Sequence, residues 1–161
     1  MNLIESFPNR IIEFIKAANR NGVRMILVGG GAVNFHGFQR HSADLDFWIE
    51  VTEQNLERLL LAIQELGYHI ENFPDTVQEG QQNISIKISP VFDLELITNF
   101  NPGKTFNEAY KSAVLIEKGN LNYLVLGFYD LINSKINSER IKDKLDVEEL
   151  QKIHLRRNRK S

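Results

Sequence analysis

The 161-residue chain predicts an α/β fold: a mixed β-sheet flanked by helices, with a helical pair at the C-terminal end. Three observations predict it. The apolar run Val23–Val28 opens into Gly29, Gly30 and Gly31 and then into a short helical stretch. Asp44–Val51 alternates strictly between polar and apolar residues, which is the period of a half-buried strand. Apolar residues at helical spacing recur before, between and after these segments, so helices and strands interleave along the chain.

The elements follow in order. Pro8 can open a helix whose apolar positions Ile11, Ile12, Phe14, Ile15 and Ala18 form one stripe, and Asn21-Gly22 ends it. Val23–Val28 is short, continuous and β-branched, as a buried strand should be. In the Asp44–Val51 strand, Asp44, Asp46, Trp48 and Glu50 share one face, with Leu45, Phe47, Ile49 and Val51 on the other. Thr52 can cap the next helix, where Leu56, Leu59, Leu60, Ile63 and Leu66 make the inner stripe and Gly67 the stop. Tyr68–Asn72 is a strand candidate. Ile84–Ser89 and Val91–Ile97 alternate on either side of Pro90. A turn at Asn101-Pro102-Gly103 precedes a helix over Phe106–Ala113 and a strand pair, Val114–Glu117 and Leu121–Val125, joined at Gly119-Asn120. Two helices close the chain, about Phe128–Ser138 and Lys142–Leu155 within residues 128–155, followed by a basic tail over residues 156–161 that reads as solvated and frayed.

No repeat, low-complexity stretch or linker divides the sequence, so residues 1–161 are expected to form one domain. Cysteine is absent, which excludes disulfide scaffolds, zinc thiolate sites and cysteine nucleophiles. The start MNLIESFPNR lacks a basic segment followed by an apolar block, and no apolar run approaches the roughly 20 residues that span a bilayer, so a cytoplasmic protein away from the membrane is expected. A net charge of −2 gives no global attraction to nucleic acid, although Arg156, Arg157, Arg159 and Lys160 are locally basic.

Chemistry concentrates at the acids. Residues two apart on a strand point to one face, about 7 Å apart along it, so Asp44 and Asp46 can together hold one or two hard cations. Mg²⁺ suits carboxylate oxygen and completes its shell with water and substrate phosphates, and two such ions can clamp an in-line phosphoryl displacement. Asp93, on the strand Phe92-Asp93-Leu94-Glu95-Leu96, is the third metal-binding and catalytic carboxylate the sequence nominates, with Glu95 as the alternative. A glycine turn into a helix presents backbone N–H groups, so Gly29, Gly30 and Gly31 can cradle a nucleoside triphosphate, and Ser42 can add a hydroxyl. Singly, each feature has a plain structural explanation, a solvated strand face or a tight turn; their combination is what points to catalysis. Trp48 can stack a base or cover the sheet, His36 can touch substrate or pack a helix, and Glu50 reads as solvated.

The stretch from Leu27-Val28-Gly29-Gly30-Gly31-Ala32 through His36-Gly37, Arg40, Ser42 and Asp44-Leu45-Asp46 resembles the signature of the nucleotidyltransferase superfamily, and within it the AbiEii-toxin-like and minimal bacterial nucleotidyltransferases. Ser42 stands where those proteins usually carry Thr. Leu131, Lys135, Arg140, Lys142, Asp143 and Asp146 are similar in spacing to their Lys…Arg-x-Lys-Asp-x-x-Asp stretch. The resemblance implies a nucleotidyltransferase-like sheet and a Lys135 that faces the nucleotide phosphates with Lys142 and Asp143 nearby. It also implies an acceptor that is a small molecule, a protein or tRNA, and, for a toxin, an antitoxin partner or self-association.

Three functions compete. The first is Mg-dependent transfer of a nucleoside monophosphate from a nucleoside triphosphate to a hydroxyl acceptor, including the role of toxin in a toxin–antitoxin pair. The second is a non-catalytic nucleotide- or partner-binding protein that keeps the fold. The third, a dinucleotide-binding module, fails because Asn34 occupies the third glycine position and the segment between the strands is too short for a crossover helix.

Overall fold

The computed structural model of the chain describes residues 7–39 and 44–159. Helix α1, Asn9–Arg20, follows Pro8 and buries Ile11, Phe14, Ile15, Ala17 and Ala18. Strand β1, Met25–Val28, is buried throughout and runs straight into α2, Gly29–Phe35. Then come β2, Asp44–Ile49, and α3, Glu53–Glu65, the latter capped by the Thr52 side chain, which accepts from the Asn55 N–H. A one-turn helix α4, Asp75–Gln78, precedes β3, Ile84–Ser89, and β4, Phe92–Ile97. Helix α5, Phe106–Ser112, opens on a capping box between Thr105 and Glu108. Strands β5, Val114–Lys118, and β6, Leu121–Val125, form a hairpin before α6, Phe128–Lys135, and α7, Ile141–Arg159.

All six strands lie in one mixed sheet, in the order β3-β4-β2-β1-β6-β5. The β1–β2, β3–β4 and β5–β6 pairs are antiparallel, while β2–β4 and β1–β6 are parallel. The α/β class and the nucleotidyltransferase-like mixed sheet flanked by helices are therefore as expected. The alternation of β2 sends Leu45 and Phe47 into a core where Phe47 meets Phe14 of α1 at 6.1 Å. On the opposite face Trp48 is buried beneath Phe100 and Phe106. Among the described residues, no helix is long and apolar enough to cross a membrane.

Two segments differ from the expectation. Tyr68–Asn72 forms no strand: the Gln64 amide donates to the Ile70 carbonyl at 2.7 Å, so a side chain satisfies that oxygen instead of a ladder. The unexpected α4 starts directly after Pro74, whose ring-locked φ of −56° suits a helix entry. At the C-terminal end, α6 stops at Lys135, because Ser138 accepts from the Arg140 N–H and donates to Asp143 to organise the start of α7. Helix α7 then runs on through Arg156, Arg157 and Arg159, three exposed cations that suit a helix C-terminus.

Candidate active site

The acids meet where β1 ends and β2 and β4 begin. In the parallel β2–β4 pairing Asp44 lies opposite Asp93 and Asp46 opposite Glu95. Partners in register share a face, so four carboxylates from two strands project to one side of the sheet. Strand β3 adds Lys87 opposite Asp93 and Ser85 opposite Glu95 on that same side. The Ser85 hydroxyl donates to Glu95 Oε1 at 2.6 Å. Sequence alternation marked Ser85 and Lys87 as a polar strand face, but only the pairing of β3 with β4 aims them at the acids.

Crowding has an electrical consequence. Burial first, then the neighbouring Asp44 and Glu95 carboxylates, push the Asp46 carboxyl up to about 6, against the opposing pull of Lys135 and Lys142. Asp46 is thus the electrostatic centre of the group, and Glu95 acts on it directly.

Glycine makes room for this centre. Gly29 has φ +59°, and a Cβ built there would fall 2.2 Å from Asp46 Oδ2. Only glycine lets the chain pass so close to that carboxylate. Gly30 and Gly31 differ: both are buried, and a Cβ on Gly31 would press on the Leu27 and Leu45 methyls at 2.9 Å. Of the three nucleotide-binding glycines expected from sequence, the structure brings Gly29 to the acids and packs Gly31 into the core. Ser42, with Arg40 and His41, lies outside the described residues.

Lys135 approaches from α6. It is buried, and its Nζ donates to Asp143 Oδ1 at 2.8 Å and pairs with Asp146 Oδ2 at 3.1 Å. Burial raises the Asp143 carboxyl, yet the hydrogen bonds from Lys135 and Ser138 outweigh it and hold the group below its ordinary value. A buried ammonium is therefore fixed between two carboxylates within electrostatic reach of Asp46.

The remaining candidates have structural partners. His36 is buried against Phe35 and Phe128, and its Nε2–H donates to the Leu126 carbonyl at 2.7 Å. Burial holds its imidazole below the ordinary value. Glu50, expected to be solvated, lies 3.1 Å from Arg24 with its side chain mostly covered. That pairing follows from Arg24, which also sits 4.2 Å from the centre of the Tyr110 ring.

The donor set suits a hard divalent cation. It consists of carboxylate oxygens, it carries mutual repulsion that a cation would relieve, and one of its members, Asp46, lies directly against the bare Gly29 backbone. Among the described residues no three acidic or histidine side chains lie close enough to hold an ion by themselves. Mg²⁺ does not require three, because one or two carboxylates plus substrate phosphates and water complete its shell.

Residues 9–155 match the sequence model of a family described as "Nucleotidyltransferase of unknown function (DUF6036)". No curated protein matches the chain.

Proposed function

The chain belongs to this family of nucleotidyltransferases of unknown function, and from that premise we propose that it transfers a nucleoside monophosphate from a nucleoside triphosphate to a hydroxyl acceptor in a Mg-dependent reaction. The observation that carries the reading is the β2–β4 register, which gives Asp44, Asp46, Asp93 and Glu95 a common face. Asp44 and Asp46 would hold Mg²⁺, one ion or two, with substrate phosphates and water completing the shell and Asp93 beside them as the third carboxylate. Bound there, the metal supplies charge neutralisation at the reacting phosphate and its leaving group.

The protein's own residues do the rest. Gly29 lets phosphate approach the main chain beside Asp46, with Gly30, Gly31 and Ser42 completing the proposed nucleotide contacts. Lys135 contributes a fixed positive charge toward the triphosphate, oriented by Asp143 and Asp146. Asp93 receives the acceptor hydroxyl's proton as that oxygen bonds to the α-phosphorus; the bond from the α-phosphorus to its bridging oxygen breaks and pyrophosphate leaves. Glu95, already engaged by Ser85, places a further negative charge beside Asp46 that a bound cation would offset. Catalysis of this kind rests on positioning and preorganised charge, without a covalent enzyme intermediate.

Incubation with Mg²⁺ and each α-labelled nucleoside triphosphate, with and without cell extract, tests the proposal. Label should move to an acceptor with the wild-type chain and fail to move with Asp44→Asn or Asp46→Asn, both still folded. Turnover that persists in either variant would refute the assignment.

A second reading, a nucleotide- or partner-binding protein without turnover, draws on the wide spacing of the metal-ligating side chains among the described residues. Triphosphate binding with no label transfer under any condition would favour it. Membership of the AbiEii-toxin-like group, with an antitoxin partner, belongs to the same proposal and has its own check. Induced expression should arrest growth, and Asp44→Asn should relieve the arrest.

A further inference from the structure

The face of α7 that holds Lys135 does not end there. Asp143, Asp146, Leu150, Ile153 and Arg157 recur at spacings of three and four, so they share one side of the helix. Eleven residues separate Asp146 from Arg157, about 16 Å of helix. At the far end lies a cavity of about 410 Å³ lined by Gly37, Phe38, Glu149, Ile153, Arg156 and Arg157. Its other wall begins at the end of α2, the helix whose first residue touches Asp46. Thus α2 runs to this cavity from Asp46, and α7 runs to it from the acids that hold Lys135.

Its lining is selective. Gly37, at φ +114°, lets the Arg157 guanidinium lie on bare backbone, where a Cβ would stand 2.8 Å from Nη2. The Glu149 carboxylate faces Lys152 at 3.5 Å, and Arg156 donates only a long 3.4 Å bond to the Lys152 carbonyl. Among the described residues neither Arg156 nor Arg157 has a carboxylate partner. Guanidinium groups match phosphate oxygens in pairs, and an aromatic ring offers a base a stacking surface. Arg159 continues the positive charge past the cavity, which suits a ligand carrying several phosphates in a row. An acidic peptide would satisfy the arginines but make no use of Phe38.

We propose that this cavity is the acceptor site and that it grips the phosphate backbone and a base of a single-stranded polynucleotide whose terminal hydroxyl reaches the Asp44–Asp46 strand. What happens at that hydroxyl rests on the transferase reading; the grip does not.

The test is fluorescence anisotropy with a short fluorescein-labelled single-stranded RNA, DNA of the same sequence and a poly-glutamate peptide, across a NaCl series. The full chain is compared with Arg156→Ala/Arg157→Ala and Phe38→Leu, and melting is followed with and without Mg²⁺ and triphosphate. The double variant should bind RNA or DNA at least tenfold more weakly, with a salt slope shallower by about 1.4, the value for two arginines that no longer neutralise phosphate. Phe38→Leu should weaken binding severalfold with the arginines in place. The triphosphate-induced melting shift should survive in the double variant. Unchanged strand affinity in both cavity variants, peptide binding with the same arginine dependence, or loss of the triphosphate shift with the arginines would each overturn the proposal. Arginine-dependent strand binding without label transfer supports the grip and counts against the transferase reading alone.

Discussion

Asp46 sits under opposing demands. Its carboxyl titrates near 6 in the folded chain, against an unperturbed value near 3.8, because burial and two neighbouring acids disfavour its charge. The folded state therefore keeps this proton after the unfolded state has released it. The group's contribution to stability is complete below about pH 3.8 and is lost as pH rises through 6, on the order of 2–3 kcal/mol for the metal-free protein. Asp46→Asn should accordingly raise the melting temperature at pH 7 in chelator while abolishing transfer; a variant no more stable than wild type would contradict this account. Gly29→Ala should lower both. It places a methyl on Asp46 in a backbone conformation that costs an L-residue of order 1–3 kcal/mol, so melting temperature and transfer fall together, and a variant that melts with wild type would contradict the crowding at Asp46. The common face of Asp44 and Asp46 was legible from the alternation of β2. The raised carboxyl was not, since it depends on burial and on Glu95 from another strand.

At the scale of elements, α6 and α7 are joined through one buried ion cluster. Lys135 has 10% of its side chain exposed, Asp143 13% and Asp146 none, so removing the ammonium would leave acids stranded away from water. Lys135→Met should destabilise the chain by roughly 3–5 kcal/mol in urea unfolding, beyond any effect on turnover. An effect within about 1 kcal/mol would mean the cluster contributes charge to the site and little to the fold. The spacing of Lys135, Asp143 and Asp146 was visible in the sequence, but a charged helix looks the same whether its charges are solvated or buried. Their partnership depends on α6 ending at Lys135 and on the turn that Ser138 organises. The missed α4 has a similar cause: a single turn after Pro74 carries no periodicity to read.

For the molecule as a whole, what the alternating segments leave open is strand order. The β3–β4 hairpin could in principle dock on either edge of the sheet; its place beside β2 creates the four-acid face. The sequence supplied strands with acids on one side, and long-range pairing decided which acids meet. If that face receives Mg²⁺ with a triphosphate, ligand binding must stabilise the whole fold by mass action, by about 2.7 kcal/mol at a hundredfold excess over Kd. Melting should shift upward with the metal and nucleotide together in wild type, and the shift should vanish in Asp44→Asn. An equal shift in the variant would locate the nucleotide elsewhere.

Helix α7 contains neither glycine nor proline from Ile141 to Arg159. It behaves as a stiff ruler, with the acids that hold Lys135 near one end and the cavity arginines near the other. Register along it is angular as well as linear: one extra residue after Asp146 would swing Arg157 by about 100° away from Gly37, whereas four would return it close to the original heading one pitch farther out. The gap between the two ends is thereby set by an integer number of turns, so sequence drift can relabel its outer positions freely but cannot change its length a residue at a time.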